Sequence, residues 1–129
     1  MITRVDDGGP WEPAYGYVRA VRAGDHVLVS GTTGSTSDGD AVSGGARQQA
    51  VSAWRRLRAA VDELTGPDER VHNLRTRVFL ADPAAHDEVA TTLEATDARS
   101  GCVTVVGVPG LVGGDHVVEI ETEWMVTRS

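Results

Sequence analysis

Residues 46–83, ARQQAVSAWRRLRAAVDELTGPDERVHNLRTRVFLADP, change their hydrophobic period once, and that change decides the fold. In the first half Ala50, Trp54, Leu57, Val61 and Leu64 recur at alternating four- and three-residue steps, the spacing of one helix face. Gln48, Arg55, Arg58 and Asp62 fall elsewhere, so residues 46–64 predict an amphipathic helix. Gly66-Pro67 supplies its stop signal. Beyond it the period drops to two: Leu74, Thr76, Val78 and Leu80 share one face of a strand, and Arg75 and Arg77 take the other. Asp82-Pro83 then reads as an N-cap followed by proline at the first helical position. A long helix, a half-buried strand and a second helix predict helices layered on a sheet.

Upstream, YGYVRAVRAGDHVLVSGTTG (15–34) holds two strand-like runs, 17–21 and 26–30, separated by the turn signal Ala23-Gly24-Asp25. Residues 31–45 read as a long loop with nothing to pack, of a length that often borders a site. Residues 2–5 allow a further strand. Downstream, the second helix should run to about Ala95 with Val89 and Leu93 buried. A strand over 102–108, a glycine-rich turn over 110–114 and a last strand in HVVEIETEWMV (116–126) follow. In that last strand Val118, Ile120, Thr122, Trp124 and Val126 lie on one face and Glu119, Glu121 and Glu123 on the other. It should pair with strand 102–108 after the turn. The order β-β-α-β-α-β-β predicts an α+β fold, a mixed or antiparallel sheet with two helices on one face.

The chain's 129 residues suit one domain, 1–129. Apolar residues make up 40% and charged residues 24%, ordinary values for a globular protein, and no apolar run approaches the roughly 18 residues of a membrane span. The opening MITRVDDGGPWEP lacks a basic-then-apolar export segment, which predicts a cytoplasmic protein without a membrane partner. A single cysteine allows no internal disulfide. The net charge of −7, from 12 basic and 19 acidic residues, argues against nucleic-acid binding, which draws most of its affinity from phosphate neutralisation. The local cluster Arg55, Arg56 and Arg58 suits the solvated side of the long helix.

His26, His72, His86 and His116 are dispersed, without metal-ligand spacing, so no metal is expected. SGTTGSTSDG (30–39) has no lysine and is no phosphate loop. Cys102, entering an apolar strand, reads as a small core residue more readily than as a nucleophile. What remains is Arg99, at the mouth of strand 102–108 in DARSGCVTVVGVP (97–109). A guanidinium is a planar fork matched to a carboxylate, and a glutamate such as Glu119 can hold and polarise a water. Taken alone, Arg99 reads more readily as a solvated or salt-bridged side chain, and alternation does not choose among the three glutamates.

Five segments taken in order, GYVRAVRAGDHVLVSGTTG, ARQQAVSAWRRL, LRTRVFLADPAAHDEV, ARSGCVTVVGVPGL and VVEIETEWMV, resemble the RidA/YjgF family across nearly the whole chain. The resemblance implies a chorismate-mutase-like fold and a homotrimer with ligand sites between subunits. It further implies hydrolysis of reactive enamine/imine intermediates to 2-keto acids and ammonia, with no cofactor and no metal. Carried over by motif, Arg99 would clamp the substrate carboxylate and Glu119 would assist water attack. Tyr17 and Ser30 would line the cleft, and the backbone beside Cys102 would bind substrate. A non-catalytic small-molecule-binding or assembly protein, or a specialised biosynthetic enzyme on the same fold, is the alternative. Three features depart from the family pattern. Asp97 replaces the usual proline and is expected to compete for the Arg99 guanidinium. Gly101 reads as an insertion that a bulge would absorb. The segment between Val89 and Arg99 is short.

Overall fold

The computed structural model describes residues 1–128. Six strands, β1 (Ile2–Val5), β2 (Ala20–Ala23), β3 (His26–Thr33), β4 (Glu69–Leu80), β5 (Cys102–Gly107) and β6 (Val118–Arg128), form one sheet in the order β1-β2-β3-β6-β4-β5. Three α-helices accompany it: the short α1 (Trp11–Tyr15), the long α2 (Gly45–Glu63) and α3 (His86–Glu94). The further strand allowed at residues 2–5 is β1. The first hairpin forms, with Ala23 opposite His26 and Gly24 at φ +62° in the turn, a backbone state glycine adopts without steric cost.

The alternation in β6 is realised in full. Val118, Ile120, Thr122, Trp124 and Val126 are buried, while Glu119, Glu121 and Glu123 are half-buried on the opposite face. α2 lays Ala50, Ala53, Trp54, Leu57, Ala60 and Val61 into the same core, where the Trp54 and Trp124 rings meet at 6.1 Å, tilted by 50°. Burying side chains the size of Leu57 or Val61 stabilises the fold by roughly 1.5–3 kcal/mol each. α3 adds Val89 and Leu93 to this core.

The expected pairing of the last two strands does not occur. β5 lies parallel to β4, from Arg75 opposite Cys102 to Leu80 opposite Gly107, and β6 inserts between β3 and β4. The physical reason is the crossover: α3 returns the chain to the starting end of β4, which makes β5 parallel to it. The glycine-rich segment after β5 then carries the chain past β4. β5 is therefore an edge strand, exposed along its whole length, and Cys102 is exposed rather than part of the core.

Two local irregularities also depart from the simple reading. The β4–β6 ladder shifts register between Asn73 and Arg75, so Asn73 is buried and Leu74, expected inside, is 41% exposed. Gly101 packs against that irregularity: a Cβ there would lie 2.6 Å from Asn73 Oδ1 and 2.7 Å from Asn73 O. The extra residue is thus absorbed by close approach to β4, and β5 itself keeps an unbroken register. The stretch 31–45 is not an unpacked loop. β3 continues to Thr33, Ser35 bridges Ala41, and Gly34 abuts α2 so closely that a Cβ would fall 2.4 Å from the Gln49 carbonyl oxygen.

Arg22 ties β2 to the α2–β4 turn. Its two terminal nitrogens reach the two Glu69 oxygens at 2.7 Å, and it also donates to the Leu64 carbonyl at 2.9 Å. The Arg22 bonds, with the Gly66 N–H, lower the Glu69 carboxyl from 4.5 to about 2. A depressed carboxyl stabilises the fold above its unfolded value and loses that stabilisation as pH falls through the folded one. Acid titration of the melting temperature should therefore show a decline between about pH 4.5 and 2 that is shallower in Glu69→Gln. Equal slopes for the two proteins would remove this ion pair from the account. Among the described residues no helix is long and apolar enough to cross a membrane.

Candidate functional site

The β3–β6 ladder is irregular between Val29 and Thr32, so Ser30 and Gly31 bulge beside Glu119, which pairs with Thr33. Bulges of this kind re-aim side chains and are common next to sites. Here the bulge presents a glycine where the glutamate carboxyl lies: a Cβ on Gly31 would stand 2.8 Å from Glu119 Oε1 and 2.9 Å from Cδ. Glu119, Tyr17, Ser30, Phe79 and Leu111 surround a cavity of about 430 Å³. Of the residues singled out from the sequence, Glu119, Tyr17 and Ser30 are brought together there. Ser30 Oγ donates to the Val18 carbonyl at 2.8 Å, which holds the entry to β2.

Behind Tyr17 lies a polar framework that sequence reading missed. Arg19 is 1% exposed. Its Nε donates to Glu12 Oε1 at 2.7 Å, Nη1 to the Gly31 carbonyl at 2.7 Å and to Thr32 Oγ1 at 2.9 Å, and Nη2 to the Tyr17 hydroxyl at 3.3 Å. Arg56, from α2, donates to the Thr33 carbonyl at 2.6 Å and to Asp7 at 2.7 Å. Partial burial would raise the Asp7 carboxyl, but the Arg56 hydrogen bonds and charge hold it below its ordinary value. His116 donates from Nδ1 to the Gly113 carbonyl at 3.2 Å, because a carbonyl only accepts, and its Nε2 shares a hydrogen bond with Ser35 Oγ at 2.8 Å. No periodicity announces Arg19 or Glu12. The available signal was an arginine on the core-facing side of a strand entry, seven residues from an acid.

Desolvation raises the Glu119 carboxyl above its ordinary value; the Arg19 charge opposes the shift, Glu121 adds to it and His116 opposes it. A carboxyl so placed exchanges a proton at a higher pH than a surface glutamate. Asp6, Asp7 and Glu12 form the one cluster among the described residues whose carboxylates lie within 4.8 Å of one another, close enough for a cation. Two of the three are already paired, Asp7 with Arg56 and Glu12 with Arg19.

Arg99 and Cys102 are elsewhere. Arg99 sits in a 3₁₀ turn over Asp97–Ser100, exposed, at the rim of an apolar groove between α3 and β5 that also includes Val103 and Val105. It makes no ion pair or hydrogen bond among the described residues. Asp97 does not engage it; its carboxylate pairs with Arg58 at 3.6 Å. The expected competition is thus removed by a residue of α2. Cys102 stands opposite Arg75, which stands opposite Glu123. Two strand spacings and four residues therefore separate it from Glu119, on the order of 16 Å. Within one chain the two halves of the inferred site are not brought together.

Gly31→Ala isolates the role of the bulge. The added methyl is expected to push the Glu119 carboxyl away, at a stability cost of roughly 1–3 kcal/mol. Denaturant midpoints for Gly31→Ala against a Gly31→Ala/Glu119→Ala double variant should show the second change relieving much of the loss. Additive losses would mean that the two groups do not collide.

The sheet order, with helices on one face and one parallel edge pair, defines a chorismate-mutase-like α+β protein of the YjgF type. The chain belongs to the Endoribonuclease L-PSP family, which it matches over residues 10–125. It is 34% identical over 123 residues to the uncharacterized protein SCO2049 of Streptomyces coelicolor, spanning 95% of this chain and 90% of that one. The crystal structure of Rv2704 from Mycobacterium tuberculosis, a member of the YjgF/YER057c/UK114 family, is 32% identical. It superposes with a TM-score of 0.79 over 97% of this chain and 99% of that one. Yeast Mmf1, 23% identical, shares the fold at a TM-score of 0.80 over 97% and 98% of the two chains.

Proposed function

We propose that this protein hydrolyses reactive 2-imino acids and their enamine tautomers to 2-keto acids and ammonia, in clefts between the protomers of a homotrimer. The observation that carries this reading is the isolation of Glu119. A half-buried carboxyl with raised proton affinity lies against Gly31 beside an open cavity, while Arg99, a cation unpaired among the described residues, waits at the far end of the sheet. A carboxylate-bearing substrate at Glu119 would meet Arg99 from a neighbouring copy.

The imine carbon is already electrophilic, so orientation and charge complementarity suffice for attack. Glu119 takes a proton from water as the oxygen bonds to the imine carbon. The tetrahedral adduct collapses with cleavage of the C–N bond, the nitrogen leaving as ammonia with the transferred protons, and C=O replaces C=N. The Arg99 fork would hold the substrate carboxylate in a bidentate pair throughout. Tyr17 and the amide backbone beside Cys102 would complete the cleft. Cleavage of RNA is disfavoured by the net charge of −7.

The test is ammonia and keto-acid release from imines generated in place by an amino-acid oxidase, together with the mass of the assembly by sedimentation. Arg99→Ala and Glu119→Gln should each be inactive alone. Refolded together in equal amounts, they should recover about a quarter of wild-type activity, because some clefts then join two intact halves. No acceleration above buffer by a trimeric wild type sinks the activity, and no recovery in the mixture sinks the shared cleft.

A further inference from the structure

Glu119 borders a second cavity, of about 300 Å³, which shares Tyr17 and Gly31 with the first. Its other walls include Trp11, Tyr15 and Val112. Trp11 and Tyr15, on successive turns of α1, stack with their rings 14° from parallel and 6.1 Å apart. Trp11 is fixed from both sides. A Cβ on Gly39 would lie 3.3 Å from its Nε1, and one on Gly113 would lie 3.3 Å from its Cζ2. Both glycines have positive φ, so the 31–45 and 108–117 segments can close this tightly on the ring.

The two arginines that reach this cavity do not make it an anion site. The Arg19 donors are committed to Glu12, Gly31, Thr32 and Tyr17, and those of Arg56 to Asp7 and Thr33. A carboxylate side chain would have to displace these acids. Arg19 is buried with its guanidinium over the Tyr17 ring, 5.6 Å from the centroid, so what the cavity offers a ligand is chiefly the aromatic walls of Trp11, Tyr15 and Tyr17, which suit another aromatic ring. A methyl or ethyl group would leave most of the space without partner atoms, and unfilled walls forfeit their dispersion contacts.

We propose, resting on the deaminase reading of the same site, that the preferred substrate is a 2-imino acid with an aromatic side chain. The ring enters the Trp11–Tyr17 cavity while the imine carbon stays at Glu119. The reaction is the same hydrolysis; what changes is which imine is taken.

The experiment compares imines generated from phenylalanine and from alanine by an amino-acid oxidase, scored by the imine left for semicarbazide to trap. Wild type should show kcat/KM at least about tenfold higher for the phenylalanine-derived imine. Trp11→Ala, and separately the exposed Tyr15→Ala in case the first disturbs folding, should bring that ratio towards one. An alanine-derived imine hydrolysed as well or better, or a ratio untouched by both variants, overturns the aromatic preference while leaving the deaminase standing. If neither imine is hydrolysed, the deaminase reading falls and calorimetry decides the cavity. Phenylpyruvate bound at least about tenfold more tightly than pyruvate supports it, and equal affinities overturn it.

Discussion

Glu119→Gln is expected to lower kcat by roughly 10²–10⁴-fold, the usual cost of losing a positioned general base, while the folded protein becomes slightly more stable at neutral pH. The two effects share one cause. Burial raises the Glu119 carboxyl, so folding favours its protonated form. The contribution of a carboxyl raised in this way is present at low pH and lost as pH rises through the folded value. At neutral pH the ionised group is therefore a cost that glutamine removes. Melting temperatures of the two proteins should coincide below about pH 4 and separate in favour of the variant towards pH 7. The kcat/KM of the wild type should fall on its acidic side at a midpoint above the ordinary 4.5. A variant that retains wild-type kcat, or that melts lower at neutral pH, contradicts the role given to this carboxyl.

Arg19→Ala should cost about 3–5 kcal/mol, measured by denaturant unfolding, the penalty for stranding one member of a buried ion pair. Glu12 is left in the interior with both oxygens unpaired, since its Oε2 already lacks a hydrogen-bond partner among the described residues. The Gly31 carbonyl, Thr32 hydroxyl and Tyr17 hydroxyl lose a donor at the same time. Arg19→Met combined with Glu12→Leu removes both charges and should recover most of the stability, because two apolar groups of similar size need no partner. If the double variant is no more stable than Arg19→Ala, the loss belongs to the bonds with Gly31 and Tyr17 rather than to the stranded acid. That outcome would make Arg19 chiefly a brace for the Glu119 cavity.

Local pattern and tertiary structure contributed differently to these two residues. Alternation placed Glu119 on the open face of its strand because side-chain direction follows from backbone period alone. It could not separate Glu119 from Glu121 or Glu123. The distinction comes from the β3 bulge, which sets the glycine at position 31 against one of the three. Arg19 looked like any other arginine beside a hairpin, since burial of a charge depends on a partner seven residues away meeting it in space. The family motifs named Arg99 and Glu119 together, yet the motif order conceals that β4 lies between their strands.

Read alone, then, these 129 residues were enough for the two periods, the helix stop at Gly66-Pro67, the buried stripe of β6 and the membership that its ordered motifs carry. Each rests on interactions among near neighbours in the chain, which spacing records directly. The insertion of β6 between β3 and β4, the exposure of β5, the capture of Asp97 by Arg58 and the aromatic cavity beside Glu119 depended on distant segments meeting. Such meetings are set by the crossover through α3 and by glycines that let backbones touch, and no local period encodes either.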